Sequence, residues 1–304
     1  SSAGRAIDAV FRDDAPLVRA LLIADRADLS RDIQDRFAAA GLAHILSISG
    51  MHIGIIAVAL RLCLELIGIA RRRADIVSVL VVVFYVALIG APPPAVRSAA
   101  MLVALFVSRA VQRPTSKWAI LTLGAIQPVF DPRIALDIGY QLTVIGVAAI
   151  ISADAMINRV GVKRLPHLAG ATLASVLGAS VATLASAPIV AWVFGRVSVA
   201  APITNLAAGP LIALAQPMLF CGMVLAPIQP LAMLFADAAH PLLLGLDRVA
   251  AAGAAIPGGS VQVAPTAFAA FVAGVMSFAV VVACASREWR PPAAIAAGAA
   301  ALLV

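Results

Sequence analysis

The chain has 304 residues, of which 62% are hydrophobic and 12% are charged, and its formal net charge is +7. Soluble domains carry about 25% charged residues, so this composition excludes an ordinary soluble enzyme domain and indicates lipid as the solvent. Lipid offers the backbone no hydrogen bonds, and only helices or closed barrels can therefore span it. Because the apolar runs are long and continuous, the sequence predicts an all-α fold, a polytopic helical membrane protein.

The first 40 residues differ from everything that follows. They mix six arginines and seven aspartates with apolar residues at helical spacing, and Ser30 with the acidic residues after it is typical of a helix start. We predict an amphipathic segment of one or two helices over residues 1–40, which covers the protein's own helices on the outer face. A transmembrane core over residues 41–304 follows. Since the chain begins at Ser1 and stops inside an apolar run, we expect it to be cut at both ends.

The core contains ten apolar segments, some of them short or broken, which predict about nine or ten transmembrane helices. They lie near residues 42–69, 75–90, 95–112, 118–130, 136–153, 168–194, 201–225, 229–255, 264–285 and 291–304. A full crossing needs about 20 residues. The fourth segment is short and the last is truncated, so either can be re-entrant or incomplete.

The charged loops predict an orientation. One alternating set of loops holds eleven basic residues: Arg71, Arg72, Arg73, Arg109, Arg113, Lys117, Arg159, Lys163, Arg164, Arg287 and Arg290. The opposite set holds only Arg133 and Arg196, with Arg97 just inside a helix. Cytoplasmic loops collect Lys and Arg, so the first set is predicted to be cytoplasmic and both chain ends then face outward. Topology alone can explain the positive net charge.

Several polar side chains fall inside the apolar segments, where Arg or Asp at a span centre costs about 2.5–3.5 kcal/mol. Such residues are candidates for function, and helix packing is the alternative. Ser49 and Gly50 can open the backbone toward a cavity, as in broken transporter helices, or can form a close-packing notch. The candidates for a polar path are Ser49, Gly50, His52, Arg97, Gln141, Arg196 and Asn205.

Two further patterns point to structure or to a rival function. Arg61 and Glu65 have the i, i+4 spacing of a helical ion pair. Asp237 and His240 in the eighth segment offer a proton relay, although His240 can also satisfy carbonyl groups freed by the proline that follows it.

No motif indicates a metal, a cofactor or catalysis. His44 and His52 are eight positions apart, which is poor geometry for a shared metal ion, and the three cysteines lack metal or redox spacing. The sequence has no Walker A loop, dinucleotide-binding motif or nucleophile elbow. We therefore expect no metal, no cofactor and no enzymatic activity.

Residues 41–54 (GLAHILSISGMHIG) resemble the signature of the ComEC competence-protein family. Four further stretches match the family in the same order, and the resemblance covers about residues 20–290. These stretches are 20–30 (ALLIADRADLS), 91–101 (APPPAVRSAAM), 130–144 (FDPRIALDIGYQLTV) and 183–205 (TLASAPIVAWVFGRVSVAAPITN). The departures from the family pattern are mild: Ala24 stands where Gly is common, Met51 replaces Leu, Tyr140 replaces Phe and Thr143 replaces Ser.

The resemblance implies a channel for single-stranded DNA in the bacterial inner membrane, used during natural transformation. Full family members typically carry an outward OB-fold domain before this core, and many carry an outward metallo-β-lactamase-like domain after it. This sequence holds neither, so we expect a channel core and not an enzyme. The partners implied are single-stranded DNA, membrane lipids, an outward DNA receptor and a cytoplasmic helicase-like motor.

A strand of phosphates needs a wet, electropositive path, so Arg97 and Arg196 are predicted at its outward mouth. The other candidate residues are predicted to line the path and to bind DNA without sequence preference. Three alternatives remain at this point. They are a proton-coupled secondary transporter that uses Asp237 and His240, a lipid or polymer flippase, and a structural membrane scaffold.

Overall fold

The computed structural model describes residues 2–46, 48, 50–112, 115–162 and 165–286. Within these ranges the helices are α1 Ser2–Phe11, α2 Ala15–Ile23, α3 Arg31–Ala39, α4 Gly50–Leu66, α5 Arg71–Leu88, α6 Pro93–Ala110, α7 Lys117–Gly124, α8 Gln127–Phe130, α9 Ile138–Val160, α10 His167–Phe194, α11 Ala201–Val224, α12 Gln229–Ala254 and α13 Ala267–Ala285. Short 3₁₀ helices lie at Arg12–Asp14 and Pro132–Leu136. Two three-residue strands, β1 Arg196–Ser198 and β2 Ser260–Gln262, pair antiparallel. The all-α prediction is confirmed.

The chain divides into two compact units. The first unit contains the residues up to Ala38, Leu42–Gln127 and Ala207–Ala251. The second unit contains Ala39–Gly41, Pro128–Leu206 and the described residues from Ala252 onward. Helices α11 and α12 each contribute residues to both units.

The N-terminal segment of the first unit folds as helices α1 to α3, and its predicted amphipathic pattern is confirmed because Leu21 and Phe37 are completely buried. Helix α2 ends at Ala24, whose backbone is left-handed (φ 58°), a conformation that glycine adopts most easily. Glycine, which the resemblance implies at this position, would adopt the same backbone without strain. Ser30 Oγ accepts a hydrogen bond from Ile33 N at 3.3 Å, as predicted for the start of α3.

The first predicted transmembrane helix begins later than expected. Residues 42–46 lie in turns or irregular backbone, and α4 starts only at Gly50, so the predicted helix from residue 42 onward is wrong. The physical reason is the end of α3. Gly41 adopts a left-handed φ of +77°, and Leu42 N donates to the Phe37 carbonyl oxygen at 2.7 Å. These residues therefore terminate one helix instead of opening the next.

The core of the second unit consists of α9, α10 and α13, which pack through small side chains such as Ala149, Ala185 and Cys284. Small residues let helix backbones approach closely, which is how helices associate in lipid. Arg159 on α9 donates to the backbone carbonyl oxygens of Cys284 and Ser286, at the end of α13. These bonds satisfy carbonyl groups that have no partner within α13 itself.

Four helices in the described part of the chain are long and apolar enough to cross a membrane: α9, α10, α11 and α13. Helix α4 has 17 residues, and α5 and α6 have 18 each with charged residues among them. The segment predicted over 118–130 forms only the short helices α7 and α8, in line with an incomplete span. The total of nine or ten spans stays a prediction, and segment 291–304 lies outside the described residues.

Candidate functional site

The most unusual side chain of the first unit is a buried arginine. Arg97 on α6 is 1% exposed and is the largest completely covered side chain in the described ranges. Prolines occupy the start of α6, where they suit the helix, and place Arg97 in its second turn. Arg97 Nη1 donates to Gln127 Oε1 at 3.4 Å. Because burying a charge is costly, a guanidinium here indicates a functional or networked group.

Gly50, the first residue of α4, packs against the neighbour of Arg97. A Cβ atom at Gly50 would lie 2.5 Å from Ser98 Oγ, so only glycine fits without a shift. Ser98 Oγ itself donates to the Pro94 carbonyl oxygen at 2.9 Å. His52, two residues further along α4, is also buried. The structure thus brings Gly50 onto the turn of α6 that carries Arg97, which supports the close-packing interpretation of this position.

Gln141 and Asn205 lie in the second unit, and each bonds to backbone nearby in sequence. Gln141 Nε2 donates to the Ala135 carbonyl oxygen at 2.9 Å, and Asn205 Nδ2 donates to the Ala201 carbonyl oxygen at 2.8 Å. Both side chains are half-buried. In this conformation the Gln141 amide joins α9 to the 3₁₀ helix before it, and the Asn205 amide bonds to the first residue of its own helix.

Arg196 lies in strand β1, where it is half-buried and pairs in register with Gln262 of β2. Ser49 lies outside the described residues. Of the seven predicted path residues, the structure therefore brings Gly50 beside the turn of α6 that carries Arg97. A continuous path through all seven stays a prediction.

A buried clamp in the second unit was missed by the sequence analysis. Thr204 Oγ1 donates to the Ala40 carbonyl oxygen at 2.6 Å, across 164 positions of sequence. A Cβ atom at Gly41 would lie 2.5 Å from Ala201 Cβ, and one at Gly253 would lie 2.5 Å from Thr204 Cγ2. Gly41 and Thr204 both belong to stretches that resemble the family, which is the signal that could have paired them.

Another missed contact joins two of these stretches in the first unit. Arg26 Nε donates to the Leu46 carbonyl oxygen at 2.7 Å, and burial lowers the pKa of the Arg26 guanidinium from its ordinary value. Nearby, Arg19 forms ion pairs with Asp8 and Asp28. The hydrogen bond that Arg19 donates to Asp8 raises the pKa of Arg19. The segment before α4 is thus fixed by arginine side chains.

His240 contacts an acidic residue that the sequence analysis did not name. Its Nδ1 atom lies 2.7 Å from Asp14 Oδ2, a hydrogen-bond partner in the N-terminal segment. Further along α12, Asp247 forms an ion pair with Arg36 at 3.2 Å. Polar residues of α12 therefore bind the N-terminal segment. This arrangement gives the predicted proton relay no direct support.

Four helices of the described residues that are long and apolar enough to cross a membrane define the class as a polytopic helical membrane protein. The family model described as Competence protein matches residues 21–289, and the chain belongs to this family. The predicted family is confirmed.

Two curated relatives carry related names. The chain is 28% identical over 188 residues to "ComE operon protein 3" of Bacillus subtilis, an alignment that covers 62% of this chain and 23% of the relative. It is 29% identical over 255 residues to "Competence protein ComA" of Neisseria gonorrhoeae, covering 80% of this chain and 35% of the relative. The chain thus spans between about a quarter and a third of the length of these relatives. No solved structure matches it.

Proposed function

We propose that this chain is the multi-pass core of a channel that carries single-stranded DNA across the bacterial inner membrane during natural transformation. Family membership supports the role in DNA uptake. The observation that carries the finer proposal is Arg97, a guanidinium that is only 1% exposed on an apolar helix. In this proposal the core conducts the strand and performs no catalysis.

The chemistry of Arg97 suits a phosphate ligand. Its contact with Gln127 is long, at 3.4 Å, and the acceptor is a neutral amide oxygen. Charge-assisted hydrogen bonds to phosphate are shorter and roughly twice as strong as neutral ones. A phosphodiester that reached Arg97 would therefore displace Gln127. Phosphate contacts carry no sequence information, which is what a general uptake channel requires.

Because Arg97 is 1% exposed, a strand can reach it only after the cover around it moves. We therefore assign the described conformation to a channel that is closed at this point. An outward DNA receptor would deliver the strand, and a cytoplasmic helicase-like motor would withdraw it and supply the driving force. Arg196 and the polar residues of the second unit remain candidates for contacts further along the strand.

The test uses cells that lack their own channel and carry the full-length parent of this chain with Arg97→Ala or Arg97→Lys. We expect internal single-stranded DNA to fall about 10-fold or more with Ala, because a charged hydrogen-bonding group is lost, and less with Lys. Surface-bound DNA and the amount of protein in the membrane should not change. Arg133→Ala is the matched control, since Arg133 is an exposed arginine of the loop predicted to face outward.

Wild-type uptake in Arg97→Ala would contradict the proposal. If Arg97→Ala lowered the amount of protein in the membrane, the two single variants Arg97→Lys and Gln127→Ala would test the proposal instead. The proposal requires normal uptake with Gln127→Ala, because the amide does not contact DNA. It requires reduced uptake with Arg97→Lys, because lysine keeps the charge but loses the planar hydrogen-bonding geometry of the guanidinium. If Arg97→Ala abolished a transport activity that required the proton gradient but no DNA, that result would favour the proton-coupled transporter instead.

A further inference from the structure

A small hollow lies at the end of α5 and α6 that is predicted to be cytoplasmic. It has a volume of about 220 Å³ and is lined by Arg72, Asp75, Phe106, Arg109, Ala110 and Gln112. Arg72 belongs to the first turn of α5, and Arg109 belongs to the last turn of α6. Two guanidinium groups from different helices therefore share one concave surface with an aromatic ring.

The acidic groups at this end of the helices are already paired with another arginine. Arg61 contacts Glu65 at 3.0 Å, which confirms the predicted i, i+4 pair, and its Nε atom contacts Asp75 at 3.1 Å. Arg71 lies 3.7 Å from Glu65. In the described ranges neither Arg72 nor Arg109 lies within ion-pair distance of a carboxylate. The hollow thus presents two exposed cationic groups, since Arg61 balances its one carboxylate.

Exposed apolar side chains continue from the hollow along both helices. On α5, Ile76 and Leu80 are exposed, and on α6 Val107 is exposed next to Phe106. A nucleic acid would gain little from such aliphatic surface. A molecule with a phosphate at one end and hydrocarbon at the other would cover both features.

We propose that this hollow binds the headgroup of an anionic phospholipid. The phosphate lies between Arg72 and Arg109, and the acyl chains follow the exposed apolar faces of α5 and α6. Basic hollows between helices on the cytoplasmic side suit anionic headgroups for this reason. The bound lipid would fix the first turn of α5 against the last turn of α6. The inference does not depend on the proposed passage of DNA.

The full chain is purified in mild detergent and titrated with phosphatidylglycerol in mixed micelles of detergent and phosphatidylcholine. Native mass spectrometry then counts the lipid molecules that each protein retains. The variant Arg72→Gln/Arg109→Gln should retain about 10-fold less phosphatidylglycerol, because each basic residue near the headgroup contributes attraction. The matched control is Arg71→Gln/Arg73→Gln. It also removes two positive charges, both from the start of α5, but it leaves the lining of the hollow intact. This control should change retention less than about two-fold.

Three outcomes would overturn the proposal. Equal losses in the two double variants would mean that total surface charge attracts lipid without a site. Displacement of the lipid by a single-stranded oligonucleotide would assign the hollow to nucleic acid. Displacement by inorganic phosphate at the concentration of the lipid would mean that the apolar faces contribute nothing. Thermal unfolding of both variants in detergent verifies that these exposed substitutions leave the fold intact.

Discussion

The two units accommodate charged side chains in different ways. In the first unit, charged groups pair with one another, as in Arg19–Asp8 and Arg36–Asp247. In the second unit, Arg159 donates to backbone carbonyl oxygens at the end of α13. Hydroxyl groups donate to backbone carbonyl oxygens in both units, as Ser98 and Thr204 do. Three of the four helices that pass as membrane spans, α9, α10 and α13, lie wholly in the second unit. Neutral bonds to carbonyl groups suit helices whose solvent is lipid, whereas charges require partners.

This difference separates packing from candidate function. A polar side chain that bonds to backbone within six positions of itself is explained by local structure, and Gln141 and Asn205 meet this description. Arg97 does not, because it is a charged group that is completely buried and whose contact with Gln127 joins segments 30 positions apart. Functional tests should therefore begin in the first unit, and stability tests of packing should begin in the second.

The largest effect is expected from Gly41→Ala in the second unit. The new Cβ atom would lie 2.5 Å from Ala201 Cβ, and the residue would keep a left-handed φ of +77° that alanine disfavours. Steric overlap and backbone strain together predict a loss of about 2–4 kcal/mol in the free energy of unfolding. Thermal unfolding of the purified chain in detergent measures it.

Gly54→Ala is the matched control from the same family signature. Nothing lies within 4 Å of a Cβ atom at Gly54, which is inside α4. Alanine there should be neutral or should stabilise the chain by up to about 1 kcal/mol, through its helix propensity. Equal destabilisation by both alanines would mean that the close packing at Gly41 does not determine stability.

An intermediate effect is expected from Thr204→Val, which keeps the shape of the side chain and removes its hydroxyl group. The Ala40 carbonyl oxygen would lose a buried 2.6 Å hydrogen bond, and a buried unsatisfied group costs about 1–3 kcal/mol. Asn205→Ala removes a bond to the same helix only, so it should cost less than about 0.5 kcal/mol. A reversed order of the two variants would show that the long-range clamp does not hold residues 39–41.

Local features of this fold could be read from the sequence. Periodicity predicts the amphipathic N-terminal segment, and the i, i+4 spacing predicts the Arg61–Glu65 pair, because both depend on residues within one or two helical turns. The start of α4 was misplaced because the apolar run at 42–48 continues past the end of α3. The left-handed Gly41 and the bond from Leu42 N to the Phe37 carbonyl oxygen show that residues 42–46 follow the end of α3.

Partners far apart in the chain could not be predicted. His240 contacts Asp14 across 226 positions, and no pattern in the sequence connects two residues so far apart. Arg97 was predicted to be functional because a charge in an apolar segment is costly, and this reasoning needs no knowledge of the fold. Its burial and its contact with Gln127 depend on how α6 packs, so the sequence could not indicate that Arg97 is covered.

Among the tested interactions, with the control variants left aside, the smallest effect is expected from the ion pair that joins α3 to α12 in the first unit. Arg36 and Asp247 are each about a third exposed, so solvent and salt screen their attraction. A double-mutant cycle with Arg36→Ala and Asp247→Ala should give a coupling energy of about 0.5–1 kcal/mol at low salt.

The cycle also tests why the two units differ. If the first unit tolerates charge because water reaches its ion pairs, the coupling must weaken as salt rises from 50 mM to about 1 M, where the screening length falls to roughly 3 Å. A coupling well above 2 kcal/mol that salt did not change would mean that the pair is shielded from water. In that case charge pairing in the first unit would be a property of its interior, and the N-terminal segment would be as much a part of the lipid-embedded structure as the helices of the second unit.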